Sequence, residues 1–120
     1  MKDDRLYLEH MIERIQRVVA YTQDGFDGFM TSLLIQDAVI RNFEVIGEAA
    51  KRVSEDLKTT YPDLPWRRIA GFRDVLIHNY ATVNLALVWN VVANDLPVLL
   101  PQLEQIRQSL DLPEADERLQ

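Results

Sequence analysis

The sequence contains no cysteine. Its absence excludes a disulfide framework, a thiolate nucleophile and a cysteine-ligated metal site. No apolar run approaches the roughly 18 residues that span a membrane. Residues 1–5, MKDDR, are not followed by the apolar stretch typical of a signal peptide. These absences predict a soluble intracellular protein of the cytoplasm.

Histidine is also scarce. His10 and His78 are the two in the chain, and they show no metal-ligand spacing. The carboxylates do not cluster around them, which disfavours metal catalysis, and we expect no cofactor. His10 falls on the polar side of a helical pattern and is expected to be an ordinary surface residue.

Positive charge is in deficit, because 13 Lys and Arg face 19 Asp and Glu, for a net charge of -6. This balance argues against a broad surface that coats nucleic acid, since such binding depends on many cations. Residues 41–80 differ: they hold seven basic and six acidic residues, so this segment is +1 and the remainder is -7. A small basic site could lie there. Mixed charges on solvated helix surfaces are the simpler interpretation.

Helical periodicity dominates the chain, and no strand-like alternation occurs. Residues 4–23 predict an amphipathic helix, and residues 24–28, DGFDG, predict a loop that Phe26 anchors to the core. Residues 29–59 predict one long second helix without internal proline. Gly47 lies inside it, where a close helix crossing is the preferred explanation and ligand approach an alternative.

Two prolines, Pro62 and Pro65, predict a break, with Pro65 as the first residue of the next helix. Its apolar stripe is expected to contain Trp66, Ile69, Phe72 or Arg73, and Ile77. That helix should fray near residues 79–82. A last helix, with Asn84 as a candidate N-cap, is expected to extend to about residue 106 and to be interrupted or kinked by Pro97 and Pro101. We expect one all-α domain over residues 1–110 and an acidic, disordered tail over 111–120.

The stretch Arg73-x4-His78-x-Tyr80 places a permanent cation, a proton-transfer group and a phenol within eight residues. On a helix, Asp74 and His78 form an i,i+4 pair, whereas Arg73 and His78 lie about 140° apart. Either the helix ends between them, or a second copy of the chain completes the site. Arginine and histidine without a metal set suit phosphodiester chemistry on RNA, because imidazole transfers protons near neutral pH and guanidinium binds phosphate.

A structural interpretation of the same stretch is favoured by spacing alone. In it, Arg73 pairs with a glutamate of the second helix, Asp74 satisfies His78, and Tyr80 is a half-buried cap. In the catalytic interpretation, Asp74 orients His78, and Tyr80 donates to phosphate or stacks on a base.

Similarity over longer segments makes the catalytic interpretation the preferred one. The motif Arg73-x4-His78-x-Tyr80 resembles that of the HepT-like branch of the HEPN domains. Further similarity lies in QDAVIRNFEVIGEAAKR at residues 36–52, PWRRIAGFR at 65–73, VW at 88–89 and DLP at 95–97. Together these segments cover roughly residues 6–103, and the set is far more specific than the short motif.

The resemblance implies an up-and-down all-α bundle of four to five helices that forms a homodimer. It further implies a metal-independent endoribonuclease toxin of a type VII-like toxin–antitoxin system, with Arg73 and His78 as the catalytic pair. The antitoxin of such a pair is an MntA-like minimal nucleotidyltransferase that transfers AMP to the motif tyrosine, here Tyr80. The supporting, RNA-contacting residues would be Asp74, Asn79 and Tyr80.

Two positions depart from the family's pattern: Asp74 stands where asparagine is frequent, and Asn79 where an acidic residue is frequent. Both departures concern the supporting residues and leave the three motif residues intact. The competing hypothesis is a non-catalytic HEPN module that binds RNA or a nucleotide, or that serves as the structural partner of a nucleotidyltransferase.

Overall fold

A computed structural model describes residues 2–78 and 82–111. Within these ranges the chain is helical and forms no strand, which confirms the all-α prediction. The elements in chain order are α1 (Lys2–Tyr21), α2 (Gly25–Thr31), α3 (Leu33–Arg52), α4 (Glu55–Thr60), α5 (Trp66–His78), α6 (Leu85–Asn90), a π-helical turn (Val91–Asp95) and α7 (Leu96–Asp111).

The bundle is built around α3, which packs against α1 on one side and α5 on another, while α7 packs against α1. Helices α6 and α7 are joined through the π turn into one continuous helical segment. The long elements are therefore α1, α3, α5 and this segment. Leu8, Met11, Ile15 and Val18 of α1 are fully buried and recur every three or four residues, as one face of a helix does. The Cα atoms extend over 58 × 28 × 20 Å, so the thinnest dimension is about two helix diameters.

The predicted second helix is broken twice, at Ser32 and at Ser54, so the single-helix prediction was wrong. The Ser32 hydroxyl accepts a hydrogen bond from the Ile35 amide at 3.1 Å and caps α3. Ser54 caps α4 in the same way through the Leu57 amide at 3.1 Å. The buried Asp4 carboxylate accepts from the Ser54 amide at 2.7 Å and from its hydroxyl at 2.6 Å, so α1 stabilises the second break.

The predicted loop at residues 24–28 is mostly helical, which corrects a second expectation. Only residues 22–24 form a turn, after which Gly25, with φ 77°, begins α2. Phe26 is 47% exposed and is not a core residue. Its ring nevertheless contacts Trp89 edge-on, with centroids 5.9 Å apart, so it attaches α2 to α6 from the outside.

Helix α5 begins at Trp66, directly after Pro65, close to the predicted start. Trp66 is buried and donates from Nε1 to the Tyr61 carbonyl at 3.0 Å, while Phe72 packs edge-on against Phe43 of α3. The expected stripe is correct at its beginning but not at its end. Leu76 is buried instead of Ile77, which is 40% exposed.

Asn84 caps α6 as predicted, because its side chain accepts from the Leu87 amide at 3.1 Å. The prolines act differently from one another. Pro97 follows the π turn, in which the Leu96 amide bonds to the Val91 carbonyl, a geometry that accommodates the missing proline N–H. Pro101 lies within α7 and does not end it.

The expected fraying at residues 79–82 falls largely outside the described residues, as does the expected disordered tail at 112–120. The domain boundary near residue 110 therefore stays a prediction. None of the helices in the described ranges is both long enough and apolar enough to cross a bilayer.

Candidate active site

Arg73 lies where α5 crosses α3 at its closest approach. A Cβ added to Gly47 would overlap the Cβ of Arg73 and would lie 3.2 Å from both the Arg73 Cγ and the Ile69 carbonyl oxygen. Only a residue without a side chain fits between the two helices at this point. The close helix crossing predicted for Gly47 is confirmed, and it places the Arg73 side chain against α3.

Two carboxylates orient the Arg73 guanidinium. Nε contacts Glu48 Oε2 at 3.1 Å across the helix crossing, and Nη1 contacts Asp74 Oδ1 at 3.1 Å. Among residues 2–78 and 82–111, no acceptor engages Nη2, so both of its N–H groups are available to a ligand. The Arg73 side chain as a whole is 26% exposed.

The Asp74 carboxylate contacts Arg73 and not His78. Its Oδ1 accepts from Lys51 Nζ at 2.8 Å as well as from Arg73. The hydrogen bond from Lys51, followed by the charge of Lys51 and the contacts of Arg73, lowers the pKa of the Asp74 carboxyl below its usual 3.8. The expected pairing of Arg73 with a glutamate of the second helical pattern is confirmed, whereas the expected use of Asp74 to orient His78 is not seen.

His78 is the last residue of α5, and its side chain is exposed. It makes no hydrogen bond or ion pair with another residue of 2–78 or 82–111. Five positions separate it from Arg73 on an unbroken helix, so the two side chains point about 140° apart, as the spacing predicted. Asn79 and Tyr80 lie outside the described residues, so their expected roles stay predictions.

A cavity of about 380 Å³ opens between α1, α3 and α5, and we call it the Arg73 cavity. Arg73 and Ile77 form its α5 wall, and His78 is not among the described residues that line it. The remaining lining comes from α1 and α3: Tyr7, His10, Arg41, Glu44, Val45, Glu48, Ala49 and Arg52.

Glu48 connects the two sides of this cavity. Its Oε1 contacts Arg52 Nε at 3.2 Å, one turn along α3, while its Oε2 contacts Arg73. The neighbouring Tyr7 phenol, and after it Glu48, raises the pKa of the Arg52 guanidinium. Tyr7 also lies edge-on to His10, with ring centroids 6.5 Å apart.

Sequence reasoning missed Tyr7, His10, Glu48 and Arg52 as site residues. His10 is exposed, as expected, but it faces the same cavity as Arg73. The signal in the sequence was weak: Tyr7 and His10 are three residues apart and share a helix face. Nothing in the local pattern shows that this face lies beside Arg73.

The described parts of the chain hold no group of three or more His, Asp or Glu side chains that could bind a metal ion.

Comparison with known proteins identifies the family of the chain. The family model described as "Ribonuclease HepT-like" matches residues 8–106. No solved structure matches the chain.

Three curated relatives are similar over most of the chain. "Gamma-glutamylcyclotransferase and putative RNase" of Methanocaldococcus jannaschii is 42% identical over 92% of this chain, and the match spans only half of that longer relative. A "putative RNase" of the same organism is 38% identical, with 92% of each chain covered. The "probable ribonuclease HepT" of Thermococcus cleftensis is 39% identical, over 85% of this chain and 94% of its own length.

Proposed function

The chain belongs to the family of HepT-like ribonucleases, within the HEPN superfamily, and on this premise we propose that it is a metal-independent endoribonuclease. One observation carries the proposal. Glu48 and Asp74 hold the Arg73 guanidinium through Nε and Nη1, and the Arg73 side chain lines an open cavity. A guanidinium fixed in this way can bind a phosphate without reorganising.

The proposed reaction needs only groups of the protein and the RNA. His78 removes the proton from a ribose 2′-hydroxyl, the 2′ oxygen attacks the adjacent phosphorus, and the bond from phosphorus to the 5′ oxygen breaks. The leaving oxygen takes a proton from a second imidazole or from water. The products are a 2′,3′-cyclic phosphate and a free 5′-hydroxyl. Arg73 stabilises the charge that builds on the phosphate oxygens.

A homodimer completes this site. Arg73 and His78 diverge on one α5, so a single copy does not aim both at one phosphate. Val75 and Ile77, close to His78 on α5, are apolar residues that are 47% and 40% exposed. A two-fold interface across α5 would bring His78 of each copy toward Arg73 of the other.

Regulation is proposed through Tyr80 in a toxin–antitoxin pair of the cytoplasm. An MntA-like minimal nucleotidyltransferase would transfer AMP to the phenol, two residues from His78. The adduct adds bulk and negative charge where the RNA phosphate must bind, which blocks the site sterically and electrostatically. A neighbouring gene for a minimal nucleotidyltransferase with a Gly-Ser motif would support this pairing, and its absence would count against it.

The alternative is a non-catalytic HEPN module that binds RNA or a nucleotide, or that acts as the structural partner of the transferase. One observation favours it: Asp74 accepts from Lys51 and Arg73, so it is not the carboxylate that orients His78. In this case Arg73 is an anion-binding residue and His78 performs no proton transfer.

A cleavage assay distinguishes the two functions. Purified protein is incubated with total RNA and a metal chelator, beside His78→Ala, Arg73→Ala and the control Arg67→Ala, an exposed arginine on the same helix. We expect cleavage by the wild type and the control, and a loss of about a hundredfold or more without His78, as is typical for an acid–base catalyst. Intact RNA after incubation with the wild type, or equal cleavage by all four proteins, contradicts the nuclease proposal.

A further inference from the structure

We propose that the Arg73 cavity binds one nucleotide of the RNA, with its base against Tyr7 and His10 and its phosphate at Arg52 and Arg73. The inference rests on the proposed function for its substrate class, and it assigns a role to residues of α1 that the reaction itself does not use. It makes the cavity a subsite that positions the RNA for cleavage.

The size and position of the cavity fit this ligand. Its volume of about 380 Å³ lies within the range of small-molecule pockets, about 300 to 1,000 Å³. Three helices contribute, with α3 between the walls formed by α1 and α5. Arg73 belongs both to this cavity and to the catalytic pair, so a nucleotide held here is directly next to the phosphate that reacts.

The aromatic side chains supply a surface for a base. Tyr7 and His10 lie one above the other on α1, with their rings at 73° to each other and centroids 6.5 Å apart. Edge-on packing fixes the orientation of both rings. Bases that are unpaired in RNA stack on tyrosine and histidine, and this contact depends little on the identity of the base.

The charges favour an anion. Three arginines and two glutamates line the cavity, so its charge is positive even with His10 neutral, in a chain whose net charge is -6. Arg41 pairs with Glu44 at 3.6 Å and is mostly exposed, whereas Arg52 and Arg73 share Glu48. Arg73 also contacts Asp74, which pairs with Lys51, so this connected group holds three cations and two carboxylates. It keeps one excess positive charge, for which a phosphate is a suitable counterion.

An ordinary helix surface does not explain this arrangement in full. Arg17 and Glu13 form an exposed i,i+4 pair on α1 at 2.6 Å, and that pair is self-contained. The pair Arg52 and Glu48 has the same spacing but is joined to Arg73 of another helix, and it lines the same cavity as Tyr7. The similar pair on α1 therefore provides a matched control.

The test measures binding separately from cleavage. A short 2′-O-methyl RNA oligonucleotide, which lacks the 2′-hydroxyl needed for reaction, is titrated into the protein while the ring resonances of Tyr7 and His10 are followed by NMR. Affinity is then compared among Arg52→Gln, Tyr7→Leu, Tyr7→Phe and two controls, Arg17→Gln and Tyr21→Leu. Circular dichroism melting verifies that each variant folds.

We expect the oligonucleotide to shift both rings and its Kd to rise about tenfold or more in Arg52→Gln and in Tyr7→Leu, because base stacking and a phosphate contact are lost. Tyr7→Phe keeps the ring and should stay closer to the wild type. If Tyr7→Leu does not fold, the affinity of Arg52→Gln and the shift of the His10 resonance test whether the cavity binds the oligonucleotide. Unshifted Tyr7 and His10 rings, or an Arg52→Gln Kd equal to that of Arg17→Gln, overturn the proposal.

Two further results separate this proposal from the nuclease. Binding through the cavity by a protein that leaves RNA uncleaved supports the subsite and contradicts the nuclease. Cleavage of RNA by Arg52→Gln with an unchanged KM supports the nuclease and contradicts the subsite. Free AMP is titrated in parallel: if it binds in the cavity but the oligonucleotide does not displace it, the site takes mononucleotides and the assignment to RNA is wrong.

Discussion

Gly47 of α3 lies against the Cβ of Arg73 in α5, so closely that a Cβ on Gly47 would overlap it. The contact involves the first side-chain carbon of Arg73, which cannot move without its backbone. Any side chain at position 47 must therefore push α5 away from α3. Because Glu48 is the next residue, the same displacement would separate the Glu48 carboxylate from the Arg73 guanidinium.

We expect Gly47→Ala to lower the free energy of unfolding by roughly 1 kcal/mol, because an overpacking cost of about 1–3 kcal/mol exceeds the helix propensity gain of about 1 kcal/mol. RNA cleavage should fall as well. Gly71→Ala is the matched control, since a Cβ at Gly71 in α5 meets no other atom within 4 Å. It should be neutral or stabilising in urea unfolding. Equal stability of the two variants would contradict the close-contact argument.

Glu48 is a positioning residue for Arg73. In Glu48→Gln the carboxylate that faces both Arg52 and Arg73 becomes a neutral amide. We expect kcat/KM for RNA cleavage to fall about tenfold, equivalent to about 1.4 kcal/mol, with little change in melting temperature because the site is partly exposed. Glu44→Gln, on the same helix and cavity but paired only at 3.6 Å with Arg41, is the control and should stay near the wild type. A similar loss in both variants would show that the effect is not specific to the orientation of Arg73 by Glu48.

The Asp74 carboxyl should give stability that depends on acid pH. Its folded pKa lies below the usual 3.8, chiefly through Lys51, so its ionised form stabilises the fold. This contribution is complete above pH 3.8 and is lost as the pH falls through the lower folded value. We expect Asp74→Asn to be less stable than the wild type near neutral pH and to match it in strong acid. The effect should be small and should weaken with salt, since the pair is exposed to solvent.

Urea unfolding across this pH range tests the expectation. Asp37→Asn removes one exposed carboxylate from a different helix, α3, and controls for the change in net charge. A stability difference between wild type and Asp74→Asn that persists unchanged into strong acid would show that Asp74 acts through packing and not through its charge.

Local pattern predicted most of the helical segments and the cap at Asn84, because both depend on residues close in sequence. A glycine inside a helical pattern also indicated the crossing at Gly47, although its partner Arg73 lies on another helix. The break at Ser54 could not be predicted in this way, since Asp4, fifty positions away, supplies the hydrogen bonds that stabilise it. The break at Ser32 was hidden for another reason. Leu33 and Leu34 resemble core positions in the pattern, yet they are 78% and 80% exposed.

In the candidate site, too, local spacing predicted some features, whereas others depend on tertiary packing. Spacing on one helix gave the divergence of Arg73 and His78, and it suggested the ion pair with a glutamate of the second helical pattern. The Arg73 cavity needs α1 beside α3 and α5, so Tyr7 and His10 enter the site only through tertiary packing. Asp74 shows the limit of spacing: it is correctly placed for His78, but Lys51 and Arg73 engage its carboxylate.

Tyr80 is predicted to be the residue that carries AMP. Co-expression with the cognate nucleotidyltransferase should add about 329 Da, or a multiple of it, for the AMP attached to each chain. RNA cleavage should be lost with the modification, because the phosphodiester adds negative charge two residues from His78 in the sequence. Intact-mass spectrometry of the wild type and of Tyr80→Phe checks the site. Adducts on the phenylalanine variant would assign the modification to another residue.

A site shared between two copies makes a prediction that a site within one copy does not. If Arg73 of one chain acts with His78 of the other, then Arg73→Ala and His78→Ala chains are each inactive, but a mixed dimer holds one intact site. Random pairing makes half of the dimers mixed, and each has one of two sites restored, so co-refolded variants should regain about a quarter of the wild-type activity. A chain carrying both substitutions, mixed with His78→Ala, restores no site and is the negative control. If co-refolding restores nothing although the chains dimerise in light scattering, then both residues must act within one chain, and α5 would have to bend beyond Arg73 when RNA binds.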